Sequence, residues 1–484
     1  MKIDSEVFLF GCGFLGRQLK KLLEGNGYSI IAFIDNDAEK QGRIVDGCLV
    51  ISASEFAKRR EKSCILITPC CDCSGIVEQM IALGVDRGRI VTRDDIIKDL
   101  DLSWIYEDVK EKSNHFKPVL DKDGLSVLLD GQIFWMQKRG GISRYFYEIA
   151  NEMTRINGAH IDLFKGISIS EIMFDNKNLD GERYSYPLNE IMLYDYPIRT
   201  KCNRQLLHYF CELSDKYDIY HPTYYENMHI SCYKRKVVTV HDMIHERFAL
   251  DKDTIHLKRQ MVEGADGIIA VSENTKKDLI EILGVKEERI QVIYHGNSLN
   301  MEVGKDRLIN EPYILYVGNR DKYKNFAILA QAYSKSSINN EVKLVCFGGG
   351  DFTDEEKDMF VTLNISDKVR ICFGDDTRLA NVYAYAELFI YPSLYEGFGI
   401  PLLEAMHYKT PIIASNVSSI PEVGKDAVEY FDPNSEEELR YKLESLLYDE
   451  KRKITLIEKG LLREKDFSWK KTAGETYSFY KRIL

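Results

Sequence analysis

The sequence lacks the features that would place a protein in a membrane or outside the cell. No apolar segment approaches the roughly 20 residues that a membrane-spanning helix requires. The first residues, 1–6, lead directly into a strand pattern and offer no secretory leader. The 11 cysteines show no paired spacing, and several lie inside apolar strands, which is typical of a reducing compartment. We therefore expect a cytoplasmic protein.

An excess of positive charge and a convincing metal site are also missing. The net charge of −11 argues against a protein that binds nucleic acid over much of its surface. The run Cys70-Cys71-Asp72-Cys73 is the one cluster of potential ligands, and three thiols within four residues make a poor tetrahedral zinc site. The sequence therefore predicts neither a nucleic-acid partner nor a bound metal.

The chain is long enough for two or three domains, with 484 residues of which 44% are hydrophobic and 29% charged. Alternating strand and helix patterns predict α/β units built on doubly wound parallel sheets. The predicted boundaries are a Rossmann-like domain at 1–98, a charged linker at 99–123, two facing Rossmann-like domains at 124–308 and 309–468, and a helix at 469–484 that crosses back to the second domain.

The first domain carries a glycine-rich turn between a strand and a helix. Gly11, Gly13 and Gly16 follow an apolar strand, and Asp35 ends the next one, which is the dinucleotide-binding fingerprint in its usual context. The pattern predicts a site for NAD(P) or another nucleotide, or a domain that keeps the shape and binds nothing. The run after Phe33 resembles small Rossmann-like domains attached to sugar-nucleotide and polysaccharide-modifying enzymes. Because residues 1–95 hold no histidine, we expect this domain to act in regulation, oligomerisation or docking rather than in the chemistry.

A second glycine turn lies near the end of the chain. An apolar strand at 388–391 is followed by Glu396-Gly397-Phe398-Gly399-Ile400 and by a helix that contains Glu404. Glycines allow a ligand to approach the backbone, and the N-terminus of a helix attracts phosphate or hydroxyl groups. The alternative is an ordinary strand–helix connection with two solvated acids.

This arrangement resembles the E-x7-E signature of retaining family 4 glycosyltransferases, which have the GT-B fold. Further matches run in order from about Asp130 to Glu422. His241 follows the strand at 237–240 at the position that faces the donor sugar in this family, and Glu396 is implied on the same side. The resemblance makes His241 and Glu396 the candidate catalytic residues.

The same resemblance implies the donor-binding residues. Glu404 is assigned to the nucleotide ribose, and Arg320 and Lys324 to the diphosphate, although Asn319 separates Arg320 from the glycine that usually precedes the arginine. The predicted donor-binding set is Gly141, Gly318, Arg320, Lys324, Phe398, Gly399, Ile400 and Glu404.

The implied activity is transfer of a hexose with retention of configuration and without a metal ion, because no D-x-D-like pair follows a strand where a metal-dependent transferase would need one. The runs Tyr220-His221-Pro222 and Tyr323-Lys324-Asn325-Phe326 most resemble bacterial mannosyltransferases of surface polysaccharide. The expected donor is GDP-mannose, and the expected acceptor is a lipid-linked saccharide, reached by peripheral contact at the inner membrane face. Two alternatives remain: an NAD-dependent oxidoreductase that uses the first domain, and a sugar-nucleotide sensor without turnover.

Overall fold

The computed structural model describes residues 6–59, 64–67, 73–93, 95–96, 124–172, 196–214 and 216–484. The predicted linker at 99–123 and residues 70–72 of the cysteine cluster lie outside these ranges. Within them, alternating strands and helices build three sheets of six strands each. The strands are numbered β1 to β18 in chain order, six to each sheet. The strand orders are β3-β4-β2-β1-β5-β6, β12-β11-β10-β9-β7-β8 and β15-β14-β13-β16-β17-β18. The predicted α/β class with doubly wound sheets is confirmed.

The first unit contains one antiparallel pair, between the short edge strand β3 and β4, and otherwise parallel pairs. Its strands are β1 Glu6–Phe10, β2 Ser29–Ile34, β3 Ile44–Val45, β4 Cys48–Ile51, β5 Cys64–Ile67 and β6 Ile90–Thr92, and its helices are Phe14–Gly25, Ala53–Ala57 and Ser74–Ala82.

The second unit is a parallel sheet. Its strands are β7 Leu125–Leu129, β8 Ala159–Leu163, β9 Tyr217–His221, β10 Tyr233–Val240, β11 Gly267–Ala270 and β12 Ile290–Val292. Its helices are Gln132–Met136, Gly141–Met153, Tyr196–Leu213, Ile244–Arg247, Lys252–Glu263 and Glu273–Leu283.

The third unit is again parallel. Its strands β16 and β17 are buried along their whole length, because helices cover both faces of such a sheet. The strands are β13 Tyr313–Val317, β14 Lys343–Phe347, β15 Val369–Cys372, β16 Leu388–Tyr391, β17 Ile412–Ser415 and β18 Glu429–Phe431. The helices are Phe326–Lys335, Asp354–Thr362, Asp376–Ala384, Ile400–His407, Ile420–Gly424, Glu436–Leu447 and Glu450–Glu464, and the chain ends in helix Trp469–Ile483.

The strand order of the third sheet locates a ligand crevice. The chain proceeds from β13 through β14 to β15 on one side and resumes at β16 on the other. In open parallel sheets, ligands bind beyond the carboxyl ends of the two strands where the order reverses. Gly318 follows β13 and the turn that contains Glu396 follows β16, so the topology brings two predicted donor-binding segments to one edge.

Helix Trp469–Ile483 lies on the second unit, where it packs against helix Gly141–Met153. Two glycines permit this close approach. A Cβ atom on Gly267 would lie 2.7 Å from the Phe479 ring, and one on Gly296 would lie 2.4 Å from the backbone nitrogen of Trp469. The last helix is therefore built into the unit that carries His241.

Two hydrophobic clusters cover the two faces of the first sheet. One, which includes Phe8, Ile34 and Phe56, is confined to the first unit. The other combines first-unit residues such as Leu19 with second-unit residues such as Leu207. The first unit thus has a core of its own on one face and shares buried apolar surface with the second unit on the other. No helix among the described residues is long and apolar enough to cross a membrane.

Candidate active site

The second and third units meet through a direct backbone contact at Gly397. A Cβ atom at this position would lie 1.8 Å from the carbonyl oxygen of His241, so only glycine allows the approach. His241 follows β10 and Gly397 follows β16. The contact therefore joins the carboxyl-terminal edges of the two sheets at the two segments predicted to face the donor sugar.

Hydrogen bonds from the second unit hold the same glycine. The carbonyl oxygen of Gly397 accepts from Ser272 Oγ at 2.6 Å and from Thr275 Oγ1 at 3.2 Å. Ser272 also caps helix Glu273–Leu283, because its Oγ accepts from the Thr275 backbone N–H at 3.0 Å. From the third unit, the Glu422 carboxylate accepts from the backbone N–H groups of Glu273 and Asn274 at 2.7 and 3.2 Å, where the helix dipole favours a negative charge.

The His241 imidazole lies among aromatic and histidine rings. The Tyr145 ring meets it edge-on at 5.0 Å, and the His295 ring stacks on it at 5.8 Å. Burial, followed by the nearby His295, His221 and Lys258, holds the pKa of His241 well below its usual value. The imidazole is therefore neutral at physiological pH. Its Nε2 atom is buried and has no hydrogen-bond partner among the described residues.

Lys324 and Glu396, predicted for the diphosphate and the sugar, form an ion pair. The Lys324 Nζ atom lies 2.7 Å from Glu396 Oε1. Burial opposes the charge of Lys324, but the Glu396 carboxylate outweighs it and raises the lysine pKa. Asn325, in the left-handed conformation at φ 57°, turns the chain into the next helix directly after Lys324. The pair therefore presents one cation and one anion at the crevice between β13 and β16.

The Arg320 side chain forms hydrogen bonds with other residues of the third unit. Its Nε donates to Glu356 Oε1 at 2.7 Å, and its other donors reach the carbonyl oxygens of residues 348–351 at 2.9–3.3 Å. The side chain is only 4% exposed. Contact with a diphosphate, as the sequence predicts, would require some of these bonds to break. Arg320 supports the turn Gly348–Asp351 in this structure.

The turn after Glu396 presents backbone donors at a helix N-terminus. Gly399 has φ +107° and precedes helix Ile400–His407, whose first turn has no side-chain cap among the described residues. Phe398 is buried and its ring packs edge-on against His295 at 4.9 Å. The side chain of Phe398 therefore belongs to the contact between the units, while the N–H groups that follow are suited to an anion.

Glu404 lies one helical turn further on. The Tyr383 hydroxyl donates to Glu404 Oε2 at 2.9 Å. Burial raises the pKa of Glu404 to about 7, against the lowering effects of Tyr383 and of Arg144. The carboxyl group thus changes its charge near neutral pH.

A cavity of about 520 Å³ between the second and third units is lined by Arg144 and Asp376, whose charges act on the pKa of Glu404, but not by Glu404 itself. Arg144 Nη2 lies 2.7 Å from Asp376 Oδ2, and this ion pair joins the second unit to the third. The Gly140 backbone lines the cavity, and a Cβ atom on Gly141 would meet open space. Gly318, with φ +118°, also has open space around it. The volume is within the range of small-ligand sites.

In the first unit, Asp35 hydrogen-bonds to the glycine turn that is predicted to bind a nucleotide. The Asp35 Oδ2 atom accepts from the backbone N–H and the thiol of Cys12, both at 3.1 Å, and Oδ1 accepts from the Asp37 N–H. Gly11 has φ +92°, Gly13 is exposed and Gly16 is buried. Asp35 therefore stabilises the glycine turn in this structure, and a ribose would have to displace Cys12 to bind it.

Two residues that contact His241, His295 and Tyr145, are not among the site residues predicted from the sequence. The His295 ring is buried against His241, and its Nδ1 atom has no hydrogen-bond partner among the described residues. His295 lies three residues after β12, and a histidine shortly after a strand is the signal that identified His241. Tyr145 carries no such signal, because only the packing of helix Gly141–Met153 brings its ring to the site.

Replacement of Gly397 by alanine tests the backbone contact. We expect Gly397→Ala to destabilise the protein by about 1–3 kcal/mol, the usual cost of forcing extra volume into a packed region. Differential scanning calorimetry would measure the lower Tm. Gly474→Ala is the matched control, because a Cβ atom at Gly474 meets nothing within 4 Å. Equal thermograms for the two variants would show that the contact is not tight.

Comparisons with known proteins identify families that match each of the three units. Residues 139–300 match the family described as Glycosyltransferase Family 4, and residues 304–463 match Glycosyl transferases group 1. Residues 3–91 match the family described as C2185-like, N-terminal.

Among characterised relatives, the chain is 27% identical over 373 residues to the O-antigen chain mannosyltransferase B of Escherichia coli, covering 71% of this chain and 96% of the relative. The fold is similar to that of sucrose-phosphate synthase from Thermosynechococcus elongatus, with a TM-score of 0.59, 19% identity and coverage of 74% and 99%. HepE from Anabaena, solved with UDP and glucose, gives a TM-score of 0.56 at 16% identity, with coverage of 74% and 99%. The chain therefore belongs to the glycosyltransferases with the GT-B fold, and it carries an additional α/β unit before the two units that match these families.

Proposed function

We propose that the protein transfers a hexose from a nucleotide diphosphate sugar to a saccharide, with retention of the anomeric configuration and without a metal ion. The observation that carries this proposal is the arrangement of Lys324, Glu396 and His241. The ion pair of Lys324 and Glu396 is joined to His241 through the Gly397 contact. A cation and a carboxylate of the third unit thus lie next to the contact with His241 of the second unit.

The charges of these groups suit the breaking of a glycosidic phosphate bond. The leaving diphosphate gains negative charge, which Lys324 and the backbone N–H groups after Gly399 would stabilise. The Glu396 carboxylate would accept hydroxyl groups of the sugar as Lys324 turns to the phosphate. His241 is neutral because burial lowers its pKa, so it would act as a hydrogen-bond partner of the sugar rather than as a cation.

The transfer step that fits these groups is attack on the same face as the leaving group. The acceptor hydroxyl oxygen forms a bond to the anomeric carbon while the bond from that carbon to the phosphate oxygen breaks. The acceptor proton passes to the departing phosphate oxygen. This route retains configuration and needs no protein base.

GDP-mannose is the proposed donor, supported by the name of the E. coli relative and by the runs around Tyr220 and Lys324. The proposed acceptor is a lipid-linked saccharide of a surface polysaccharide. The enzyme would then work in the cytoplasm, with peripheral contact at the inner membrane face.

The first unit is proposed to regulate the enzyme, to dock a partner or to mediate oligomerisation. Its turn at Gly11 and Asp35 keeps the shape of a site for NAD(P) or another nucleotide, but Asp35 is bonded to Cys12. An NAD-dependent oxidoreductase activity is therefore less well supported than sugar transfer.

Turnover against a panel of nucleotide sugars, measured as released nucleotide, tests this function. We expect GDP-mannose to give the highest rate, and His241→Ala to lower it by two or more orders of magnitude because its contacts act on the sugar in the transition state. A chelator should leave the rate unchanged. Preference for a UDP-sugar would overturn the mannose assignment, and an unaffected His241→Ala variant would remove His241 from the site.

Lys324→Ala tests the diphosphate contact. A charge-assisted hydrogen bond contributes about 1.5–3 kcal/mol, so we expect the variant to bind GDP roughly 10- to 100-fold more weakly, with a smaller loss for GMP. Calorimetric titration of both ligands measures this. Lys322→Ala is the control, because Lys322 is exposed on the same turn. Equal losses for GDP and GMP would show that Lys324 does not hold the distal phosphate.

The raised pKa of Glu404 predicts pH-dependent donor binding. With a pKa of about 7, the group is mostly protonated at pH 6 and mostly ionised at pH 8. Only the ionised form accepts two ribose hydroxyls, so affinity for GDP-mannose should rise about tenfold over this interval, following the ionised fraction. Both phosphates of this ligand stay ionised throughout. The Glu404→Gln variant should bind with no such dependence, and a parallel rise in that variant would assign the titration to another group.

A further inference from the structure

A line of buried hydroxyl and imidazole groups connects the last helix to the ring that packs on His241. The Tyr480 hydroxyl lies 2.6 Å from His221 Nδ1, and His221 Nε2 lies 2.9 Å from Thr239 Oγ1. Thr239 Oγ1 in turn lies 3.1 Å from the Tyr145 hydroxyl. All of these side chains are buried, so each polar atom depends on its neighbour for a hydrogen bond.

From Tyr145 the interactions lead back to the last helix, which also carries Tyr480. The Tyr145 hydroxyl also hydrogen-bonds to the Thr476 side chain, and the Thr476 hydroxyl donates to the Thr472 carbonyl at 2.7 Å. The Thr472 hydroxyl donates to the carbonyl of Tyr294 at 2.6 Å. Tyr294 directly precedes His295, so the network touches the strand ends that carry both cleft histidines.

His221 stands at the centre of this line, with Nδ1 next to the Tyr480 hydroxyl and Nε2 next to the Thr239 hydroxyl. Burial keeps the imidazole neutral by lowering its pKa to about 3. A neutral imidazole has one N–H donor and one acceptor nitrogen. His221 therefore donates to one of the two hydroxyls and accepts from the other.

The far end of this network is the Tyr145 ring. It meets His241 at 5.0 Å and His295 at 4.9 Å, edge-on to each. Thr239 lies on β10, two residues before His241. A shift of either Thr239 or the Tyr145 hydroxyl would therefore move or tilt the two imidazoles that line the crevice.

We infer that Tyr480 and His221 are positioning residues, through which the last helix fixes the orientation of His241 and His295. Neither residue would touch substrate. The inference rests on the proposed placement of the donor sugar at His241. Helix Trp469–Ile483 then contributes to sugar transfer as well as to stability.

Tyr480→Phe in the full-length protein tests the kinetic consequence. It removes the hydrogen-bond partner of His221 Nδ1 while keeping the ring. We expect kcat to fall about tenfold, equivalent to roughly 1.4 kcal/mol in the barrier, with the donor KM within about twofold of wild type. Tyr477→Phe is the matched control, because its hydroxyl on the same helix donates to the Gly158 carbonyl outside the network. Equal kcat values for both variants and wild type would overturn the inference.

Two variants at His221 separate positioning from a general loss of packing. Glutamine keeps a hydrogen-bond donor and an acceptor next to Tyr480 and Thr239, whereas leucine removes both. His221→Gln should therefore retain more of the wild-type kcat than His221→Leu, with the donor KM of both variants close to wild type. Equal kcat values for the two variants would indicate a packing defect and contradict the proposed role.

Long-range ¹H–¹⁵N spectra of protein labelled at histidine report on the network directly. His221, assigned by the loss of its signal in His221→Gln, should be a neutral imidazole that does not titrate between about pH 5 and 8. Its ring signals should shift in Tyr480→Phe and stay in place in Tyr477→Phe. A titrating His221 signal, or one that Tyr480→Phe leaves unchanged, would refute the network. If the signals behave as expected and His241→Ala turns over normally, the network stands and the proposed position of the donor is wrong.

Discussion

The site depends on the close approach of two backbones, Gly397 of the third unit and His241 of the second. The absence of a side chain at Gly397 allows its carbonyl to reach Ser272 and Thr275. Around this point, the Tyr395 hydroxyl donates to Asp278 at 2.5 Å. A buried contact that leaves no room for a methyl group fixes the distance between the two sheets. The residues that follow β10 are therefore held at a fixed separation from the residues that follow β16.

Electrostatics then divides the crevice into regions of different character. Burial keeps the pKa values of His241 and His295 low and both rings neutral, whereas Lys324 keeps its charge because Glu396 is 2.7 Å away. The charge of Glu404 is intermediate, because burial raises the pKa of its carboxyl group towards neutrality. A neutral region for sugar hydroxyls thus adjoins a charged region for phosphate. This separation is what transfer from a nucleotide diphosphate sugar requires.

The sequence predicted most of the architecture because apolar runs and glycine turns are local signals. Strand β16 has the predicted bounds, and β10 ends where predicted but begins four residues earlier. The short edge hairpin β3–β4 was not predicted, because so few residues carry no periodicity.

Side-chain partners were harder to predict than elements. Arg320 has the residue type and spacing of a phosphate ligand, yet its guanidinium binds Glu356 and the carbonyls of a turn that only the fold brings near. The carboxylate of Asp35 similarly bonds to Cys12. His295 and Tyr145 join the site through long-range packing, which a single sequence does not reveal.

The central claim is that the donor hexose lies between His241 and Glu396, with its diphosphate at Lys324. The most direct measurement is a crystal structure of the protein with an intact, slowly reacting analogue of GDP-mannose, such as its 2-fluoro derivative. The account predicts a hexose hydroxyl within hydrogen-bond distance of His241 Nε2 and another on the Glu396 carboxylate. It also predicts that Lys324 Nζ lies on the distal phosphate. A hexose bound away from both residues, or a diphosphate held by Arg320 with Lys324 still on Glu396, would contradict it.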